Sequence, residues 1–440
     1  MEEKFDCIIV GGGIAGLSAA MTLASAGKRF LLVERGEFCG AKNVSGGVLW
    51  GMDLARLVPE YWKEDSGIER FVNHRRLTLL DEQSSFSLDF KSRHFEEAPY
   101  SGVIVLRARF DNWLAAKVEE AIAESPHPDA SFLATNILVE ELIQSDGRVT
   151  GIRAGGDEFF ADCVILAEGV NNLLTRQIGL EKDYVPADHV MVGVKEVIRF
   201  DRKVLEDRFQ LEGASGMSTE FVGFASGGIE GGGFLYTNRE SVSVGLVLGL
   251  RDLREKRAKP QDLLNDFKGH PAVRDMLRGG TEVEYSAHVV SDGDIRGLPR
   301  EVYADGVLIA GEAAHLLLNA GRAIQGMDYA MRSGILAAET VVEAAERSDF
   351  SAESLKSYRD KLNESFIMKD MHRFQGAVGL LHDPMMYDVL PKIVGEFGRR
   401  FFSVDDAPTR KAYAMMRESA AAHSSFWKLL KFGYKAVRYL

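Results

Sequence analysis

Gly11, Gly13 and Gly16 stand in the spacing G-x-G-x-x-G, and Glu34 follows eighteen residues after the last of them. Glycines so spaced let a chain turn tightly, bring its backbone against a pyrophosphate and seat a helix close to a strand. Ile14 and Ala15 lie between the glycines, and the helix that follows offers unbonded N–H groups and a positive dipole end that suit a phosphate. Glu34, followed by Arg35, can accept hydrogen bonds from both hydroxyls of an adenosine ribose, which argues against a 2′-phosphate there. Two more acids lie beside glycine after apolar runs, in Ala167-Glu168-Gly169 and in Gly311-Glu312. A nicotinamide fold accounts for the first acid only, whereas a long dinucleotide with a polyol arm accounts for all three. The chemistry to expect is the gripping of an extended dinucleotide. No catalytic side chain and no metal-ligating set is assigned.

The elements that must carry these residues can be read from the same chain. Phe5 to Val10 is an apolar run of strand length, an Ala/Leu-rich helical pattern extends to Ala26, Gly27 ends it, and Phe30 to Val33 is a second buried strand. The loop 36–47 ends in Asn43-Val44-Ser45-Gly46-Gly47, where glycines let backbone lie flat against a planar ligand. Cys39 in this loop has no neighbouring thiol or basic residue and receives no role. Strands are expected over 77–90. Val103 to Leu106 leads into a helix reaching Glu124, with Arg107 at the junction, placed for an anionic ligand or for a helix-start salt bridge. A hairpin is expected over 132–151. In the stretch 161–169 the apolar run 163–167 is continuous, as a parallel strand covered on both faces should be. Strands with two glycine clusters fill 190–249, and 251–278 is helical and highly charged. A strand at 306–310 meets Gly311-Glu312 and a helix start. The glycine loop 321–326 precedes a helix from Met327 to Glu346, and the chain is helical from 351 onward.

Composition narrows the function classes. The 440 residues suffice for two or three domains, and 46% hydrophobic with 27% charged residues is ordinary for a globular protein. A net charge of −12 disfavours a nucleic-acid partner. Three cysteines, Cys7, Cys39 and Cys163, exclude a four-cysteine cluster or zinc site made by this chain and point to a reducing compartment. The first strand begins too early for a signal peptide, and no apolar run approaches the roughly twenty residues of a spanning helix. The expected location is cytoplasmic and peripheral on the inner face of the cell membrane. The motive is the segment 426–440, where Lys428, Lys431, Lys435 and Arg438 form one helical stripe and Phe426, Trp427, Leu430, Tyr434, Val437 and Leu440 cover much of the rest.

Taken together, the motifs resemble the glutathione-reductase-type FAD proteins along the whole chain. Within them, Gly40 to Gly47, Gly193-Val194-Lys195-Glu196-Val197, Gly232 to Tyr236, Gly311 to Leu318 and Gly326-Met327-Asp328 are similar to the electron-transfer-flavoprotein:quinone oxidoreductases, above all to their short, FixC-type form. The resemblance implies an α/β fold with a discontinuous FAD-binding Rossmann unit (1–76, 103–189, 301–347), a mostly-β quinone unit (77–102, 190–300) and a helical C-terminal region (348–440). It implies FAD contacts at Gly11, Gly13, Ile14, Ala15, Gly16, Glu34, Arg35, Ser45, Gly46, Gly47, Arg107, Val139, Ala167, Glu168, Gly169, Gly311, Glu312, Gly326 and Met327, with Val139 presenting backbone to adenine. The family's G-D motif reads Gly311-Glu312 here. The implied activity passes electrons from electron transfer flavoprotein subunits to a quinone, a separate ferredoxin-like subunit supplying the iron–sulfur cluster. His288 and His315 are candidate proton relays. The alternative is a geranylgeranyl-reductase-like flavoenzyme acting on an isoprenoid lipid, although Gly233-Phe234-Leu235-Tyr236-Thr237 departs from that group's pattern.

Overall fold

The computed structural model describes residues 4–43, 46–181, 187–321 and 324–440. The first strands are β1 (Phe5–Val10), β2 (Phe30–Val33), β3 (Gly47–Trp50), β4 (Ile68–Leu80), β5 (Ser85–Lys91), β6 (Gly102–Val105), β7 (Phe132–Ala134) and β8 (Val139–Ser145). They are followed by β9 (Arg148–Ala154), β10 (Asp157–Leu166), β11 (Val190–Arg199), β12 (Ser215–Gly223), β13 (Gly231–Thr237), β14 (Ser241–Gly249), β15 (Thr281–Ser291), β16 (Tyr303–Ala304) and β17 (Val307–Ile309).

The most apolar of these runs make one sheet, ordered β16-β17-β10-β1-β2-β7, with the β8–β9 hairpin hung from the first half of β10. β1 lies parallel to β2 and β10, and β10 parallel to β17. Cys7 to Val10 and all of β2 are buried, which fits strands covered on both faces. A single apolar core joins this sheet to the helices Ile14–Ser25, Arg107–Glu124 and Met327–Arg347. Because the strands are parallel, β1, β2, β10 and β17 end on the same edge, and the three strand-end acids collect there.

The second sheet runs β15-β11-β14-β13-β12-β4-β6-β3, with β5 on β4, and is antiparallel except where β12 meets β4. The chain thus adopts the expected α/β architecture of a Rossmann sheet, a mostly-β sheet and a helical C-terminal region. Particular bounds differ. β4 starts at Ile68 and β6 at Gly102, so the expected divisions at 76/77 and 102/103 fall inside strands of the second sheet. The first half of β4 carries Glu69, Arg70 and His74, which disguise a buried strand. Arg70 is 1% exposed because the carbonyls of Asn238, Gly213, Ser215 and Arg239 and the carboxylate of Glu206 take up its guanidinium. A charged helix, Arg202–Phe209, interrupts the stretch read as strands; Asp201 caps it by accepting from the Lys203 and Val204 N–H groups. After β17 there is a 3-10 turn, Gly311–Ala314, in place of a helix start, and it closes on His315 in the left-handed region at φ 53°.

The C-terminal helix, Phe426–Tyr439, docks through Phe432, Leu429 and Ala436 onto Leu380 and Met385. Its other faces are open. Trp427 is 74% exposed and Val437 89%, with Leu430 and Tyr434 exposed between them. Lys428, Lys431 and Arg438 flank this apolar strip, while Lys435 approaches Asp383 at 3.9 Å. Among the described residues no helix is long and apolar enough to cross a membrane. All three cysteines are buried free thiols, and Cys7 and Cys163 are neighbours across the β1–β10 pairing.

Candidate functional site

The shared strand edge opens into a cavity of about 630 Å³ whose remaining wall is the second sheet. It is lined by Gly11, Gly13, Ile14, Ala15, Glu34, Arg35, Gly46, Gly47, Arg107, Val139, Ala167, Glu168, Gly169, Glu312, Gly326 and Met327. Gly16 and Gly311 stand behind this wall, and Ser45 lies outside the described residues.

Three glycines divide into two kinds. Gly11 has φ +108°, and a Cβ on it would lie 2.3 Å from the Ala167 carbonyl oxygen. A Cβ on Gly16 would lie 1.9 Å from the Gly11 oxygen, so helix and strand touch there through backbone. The protein itself forbids side chains at both positions. Gly13 is different. Its backbone is extended (φ −85°, ψ −176°), and a Cβ would have only Arg107 Nη2 at 3.8 Å and Asn43 Nδ2 at 4.0 Å. Among the described residues nothing fills that space, which is where a ligand's pyrophosphate would meet the helix. The Ile14–Ser25 helix has no side-chain cap and no acid in its first turn, so its leading N–H groups face the cavity unclaimed by side chains. Glu34 is held from below: its two carboxylate oxygens accept from the Gly12 N–H at 2.7 Å and the Gly36 N–H at 2.6 Å. Each oxygen keeps lone-pair capacity for a ribose hydroxyl. The chain's residues therefore fit an adenosine diphosphate moiety.

The other acids are not equivalent. Glu168 lines the cavity, but its carboxylate caps the short helix Leu173–Gln177, accepting from Leu174 N–H at 3.0 Å, Thr175 N–H at 2.8 Å and the Thr175 hydroxyl at 2.8 Å. Among the described residues the Glu312 carboxylate accepts a single long bond, 3.4 Å, from Ser291 N–H. Burial raises its carboxyl above the usual range, against the pull of Ser291, His315 and Arg107. Arg107 makes the helix-start pair, a bidentate contact with Asp111 at 2.9 and 2.7 Å, and Asn43 also donates to Asp111. This arrangement fixes Arg107 beside Gly13. Of the two histidines, His288 lines the cavity, and burial together with Arg107 and Arg35 lowers its pKa below the usual value. His315 does not face it. Its Nε2 is fixed at 3.1 Å from both Asn172 Nδ2 and Glu181 Oε2, three buried side chains in one structural knot.

A second cavity of about 150 Å³ adjoins the first through the shared residues Val48, Phe234, Tyr236, Val247 and Ile324. Phe234 and Tyr236 stack there with centroids 5.0 Å apart. Its far wall is Leu381, Met386 and Tyr387, from the layer on which the C-terminal helix docks. Two of its lining residues pair with each other: His382 Nε2 lies 2.7 Å from Glu230 Oε1. Burial resists charging His382, but Glu230 outweighs it and the net shift is upward. Sequence reasoning missed this pair, because its members are remote in the chain and neither stands in a motif. It also quoted Lys195 without giving it a role.

Three families match the chain. Residues 6–124 match the FAD dependent oxidoreductases, 191–290 the ETF-QO ubiquinone-binding family and 377–440 the ETF-QO/FixC family C-terminal domain. Among curated proteins, Protein FixC of Salmonella typhi is 41% identical over 442 residues, covering 100% of both chains. The probable electron transfer flavoprotein-quinone oxidoreductase YdiS of Escherichia coli (strain K12) is 38% identical over 99% of both. The crystal structure of a geranylgeranyl bacteriochlorophyll reductase-like protein from Thermoplasma acidophilum superposes with a TM-score of 0.72, covering 98% of this chain and 100% of that one. At 20% identity this likeness bears on the fold alone.

Proposed function

The chain belongs to the FixC/electron-transfer-flavoprotein:quinone oxidoreductase family and is an FAD-dependent oxidoreductase, and from there we propose that it passes electrons from an electron transfer flavoprotein to a membrane quinone. Bound FAD supplies the redox chemistry, and the chain holds it, shapes its surroundings and limits which acceptors reach it. In this reading the N–H groups from Gly13 to Ala15 take the pyrophosphate, Glu34 the adenosine ribose, and Val139 the adenine edge. Glu312 takes the polyol arm, whose hydroxyls would relieve a buried carboxyl that now has one long hydrogen bond. Gly46, Gly47, Gly326 and Met327 bound the ring end. Glu34→Gln would turn an amide NH₂ toward one of the two N–H donors that now hold the carboxylate. A lost buried hydrogen bond costs about 1–3 kcal/mol, so FAD affinity is expected to fall roughly 5- to 150-fold by fluorescence titration.

The observation that carries the acceptor assignment is the second cavity, where Val48, Phe234, Tyr236, Leu381 and Met386 stand beside the Glu230–His382 pair; it shares a wall with the dinucleotide cavity and is backed by the layer under the C-terminal helix. A quinone head group in that slot would lie beside the flavin, and its isoprenoid tail would leave toward lipid. The electron transfer flavoprotein would dock elsewhere on the chain, and a ferredoxin-like subunit would carry the cluster for which this chain lacks the cysteines. Stopped-flow reoxidation of the pre-reduced protein by a short-chain quinone tests this. Met386→Trp, which fills the second cavity, should slow that reoxidation at least about tenfold while leaving electron entry unchanged, since a filled cavity excludes its ligand outright. Reoxidation of the parent no faster with quinone than without it would sink the assignment.

A further inference from the structure

On the second sheet's side of the larger cavity stands a cation that makes no ion pair among the described residues. Lys195 sits mid-strand in β11, paired with Gly245 on one flank and Ser286 on the other. Its side chain is 3% exposed and lines the cavity. The acceptor for its Nζ is the Gly46 carbonyl oxygen at 3.5 Å, the outer limit of a hydrogen bond. Among the described residues no carboxylate forms an ion pair with it. Its neighbour Glu196 is occupied by Lys268, and Arg107 by Asp111. Burial pushes the Lys195 ammonium down to about 7, with Glu284 drawing it back and Arg107 pressing further.

A buried ammonium without a partner is among the costlier features a fold can hold. The space it faces is therefore where compensation must come from. Lys195 also marks which end of the cavity this is. A Cβ on Gly46 would lie 3.3 Å from Nζ, and one on Gly47 would lie 3.0 Å from Met327 Cε. Lys195, this glycine pair and Met327 thus border one volume, while Glu34 and the helix that begins at Ile14 belong to the first sheet's edge.

Resting on the assignment of that end to the ring, we infer that Lys195 is the positioning cation for the isoalloxazine, facing the negative charge the ring acquires on reduction and thereby raising the cofactor's potential. The oxidised ring is neutral. Taking up two electrons and one proton leaves it with one negative charge, and an ammonium nearby in a water-poor cavity stabilises the reduced form over the oxidised one. The pyrophosphate is the other anionic part of FAD, and the experiment separates the two.

The full-length, FAD-loaded protein is compared with Lys195→Met, which keeps an unbranched side chain one atom shorter and removes the charge, and with Lys195→Arg, which keeps the charge. FAD content is measured first, then the midpoint potential by dithionite titration against reference dyes, then the affinity for sulfite, which adds to an electron-poor oxidised ring. Lys195→Met is expected to retain FAD and to lose about tenfold or more in the reduction equilibrium, which is about 30 mV more negative for a two-electron couple. Sulfite affinity should fall in parallel, and Lys195→Arg should stay near the parent in both. The apoprotein of Lys195→Met should melt at or above the parent's Tm, because a lone buried charge has gone. A potential unchanged in Lys195→Met overturns the inference. So does loss of FAD with an unchanged potential in what remains bound, which would place the ammonium on the pyrophosphate. An apoprotein Tm well below the parent's overturns it as well, because Lys195 would then be paired within the chain. A parent protein whose ring end proves to lie elsewhere, or which carries no FAD, would instead fail the assignment on which the inference rests.

Discussion

Gly13→Val is expected to give a folded, colourless protein. The extended backbone at this position suits a β-branched residue, and the new Cβ meets nothing closer than 3.8 Å. The apoprotein should therefore melt within the small range of ordinary surface changes, about 0.5 kcal/mol. FAD should fare differently, because the branched side chain would stand in the pyrophosphate's place. Hydrogen bonds to a charged group are worth about 1.5–3 kcal/mol each, so losing two of them weakens binding more than about a hundredfold. Gly16→Ala supplies the contrast. Its Cβ would sit 1.9 Å from a backbone oxygen, so it should lower stability by about 1–3 kcal/mol or more even without FAD. The check is the 450 nm absorbance of purified protein beside the apoprotein's thermal melt. A Gly13→Val protein still yellow at full occupancy would remove the pyrophosphate from this helix.

Replacing Trp427, Leu430, Tyr434 and Val437 together by serine is expected to release the protein from anionic vesicles. All four are exposed, and the docked face of the helix, centred on Phe432, is left intact. If each side chain recovers about 1 kcal/mol by entering the lipid interface, part of the 1.5–3 kcal/mol of full burial, the four amount to about 4 kcal/mol and roughly a thousandfold in partition. Replacing Lys428, Lys431 and Arg438 by glutamine should act more weakly, about 1 kcal/mol per charge near an anionic surface, and the difference should vanish in high salt. Sedimentation with vesicles at fixed ionic strength reads both. If the serine variant pellets as well as the parent, this helix is not the anchor; if only the charge variant fails, the stripe meets an acidic partner rather than lipid.

How legible these features were depended on how the chain hides its polarity. β1, β2 and the second half of β10 could be read directly, because a parallel strand covered on both faces has to be apolar there; the first half of β10, from Asp157 to Phe160, is partly exposed, pairs antiparallel with β9 and was not read. β4 could not, since Arg70 is buried on backbone carbonyls supplied from 213 to 239, an environment that no local pattern announces. The helix 202–209 was obscured by its own charge. At the site, the glycine spacing placed the helix N-terminus and Glu34, because each of those contacts is local to one strand–helix unit. The other acids depended on neighbours across turns: Glu168 found the N–H groups of 174 and 175, whereas Glu312 found little. A helix-start salt bridge was one of two readings of Arg107, with Asp111 not named as its partner, while Glu230 and His382 meet only through the fold. The C-terminal helix was foreseen as amphipathic, but which of its apolar residues dock inward is decided by Leu380 and Met385, and its own sequence does not contain that information.

The three buried thiols have a practical consequence. Cys39 and Cys163 are pushed up to about 12, and Cys7 is also raised, in each case chiefly by burial. At neutral pH the folded chain thus offers almost no thiolate to an alkylating reagent. Any cysteine introduced on the surface becomes the sole reactive handle, without first engineering the native ones away. Spin labels or photocrosslinkers set one at a time along β5, β15 and the C-terminal helix could therefore test, in the otherwise unaltered protein, the contacts proposed with an electron donor and with lipid.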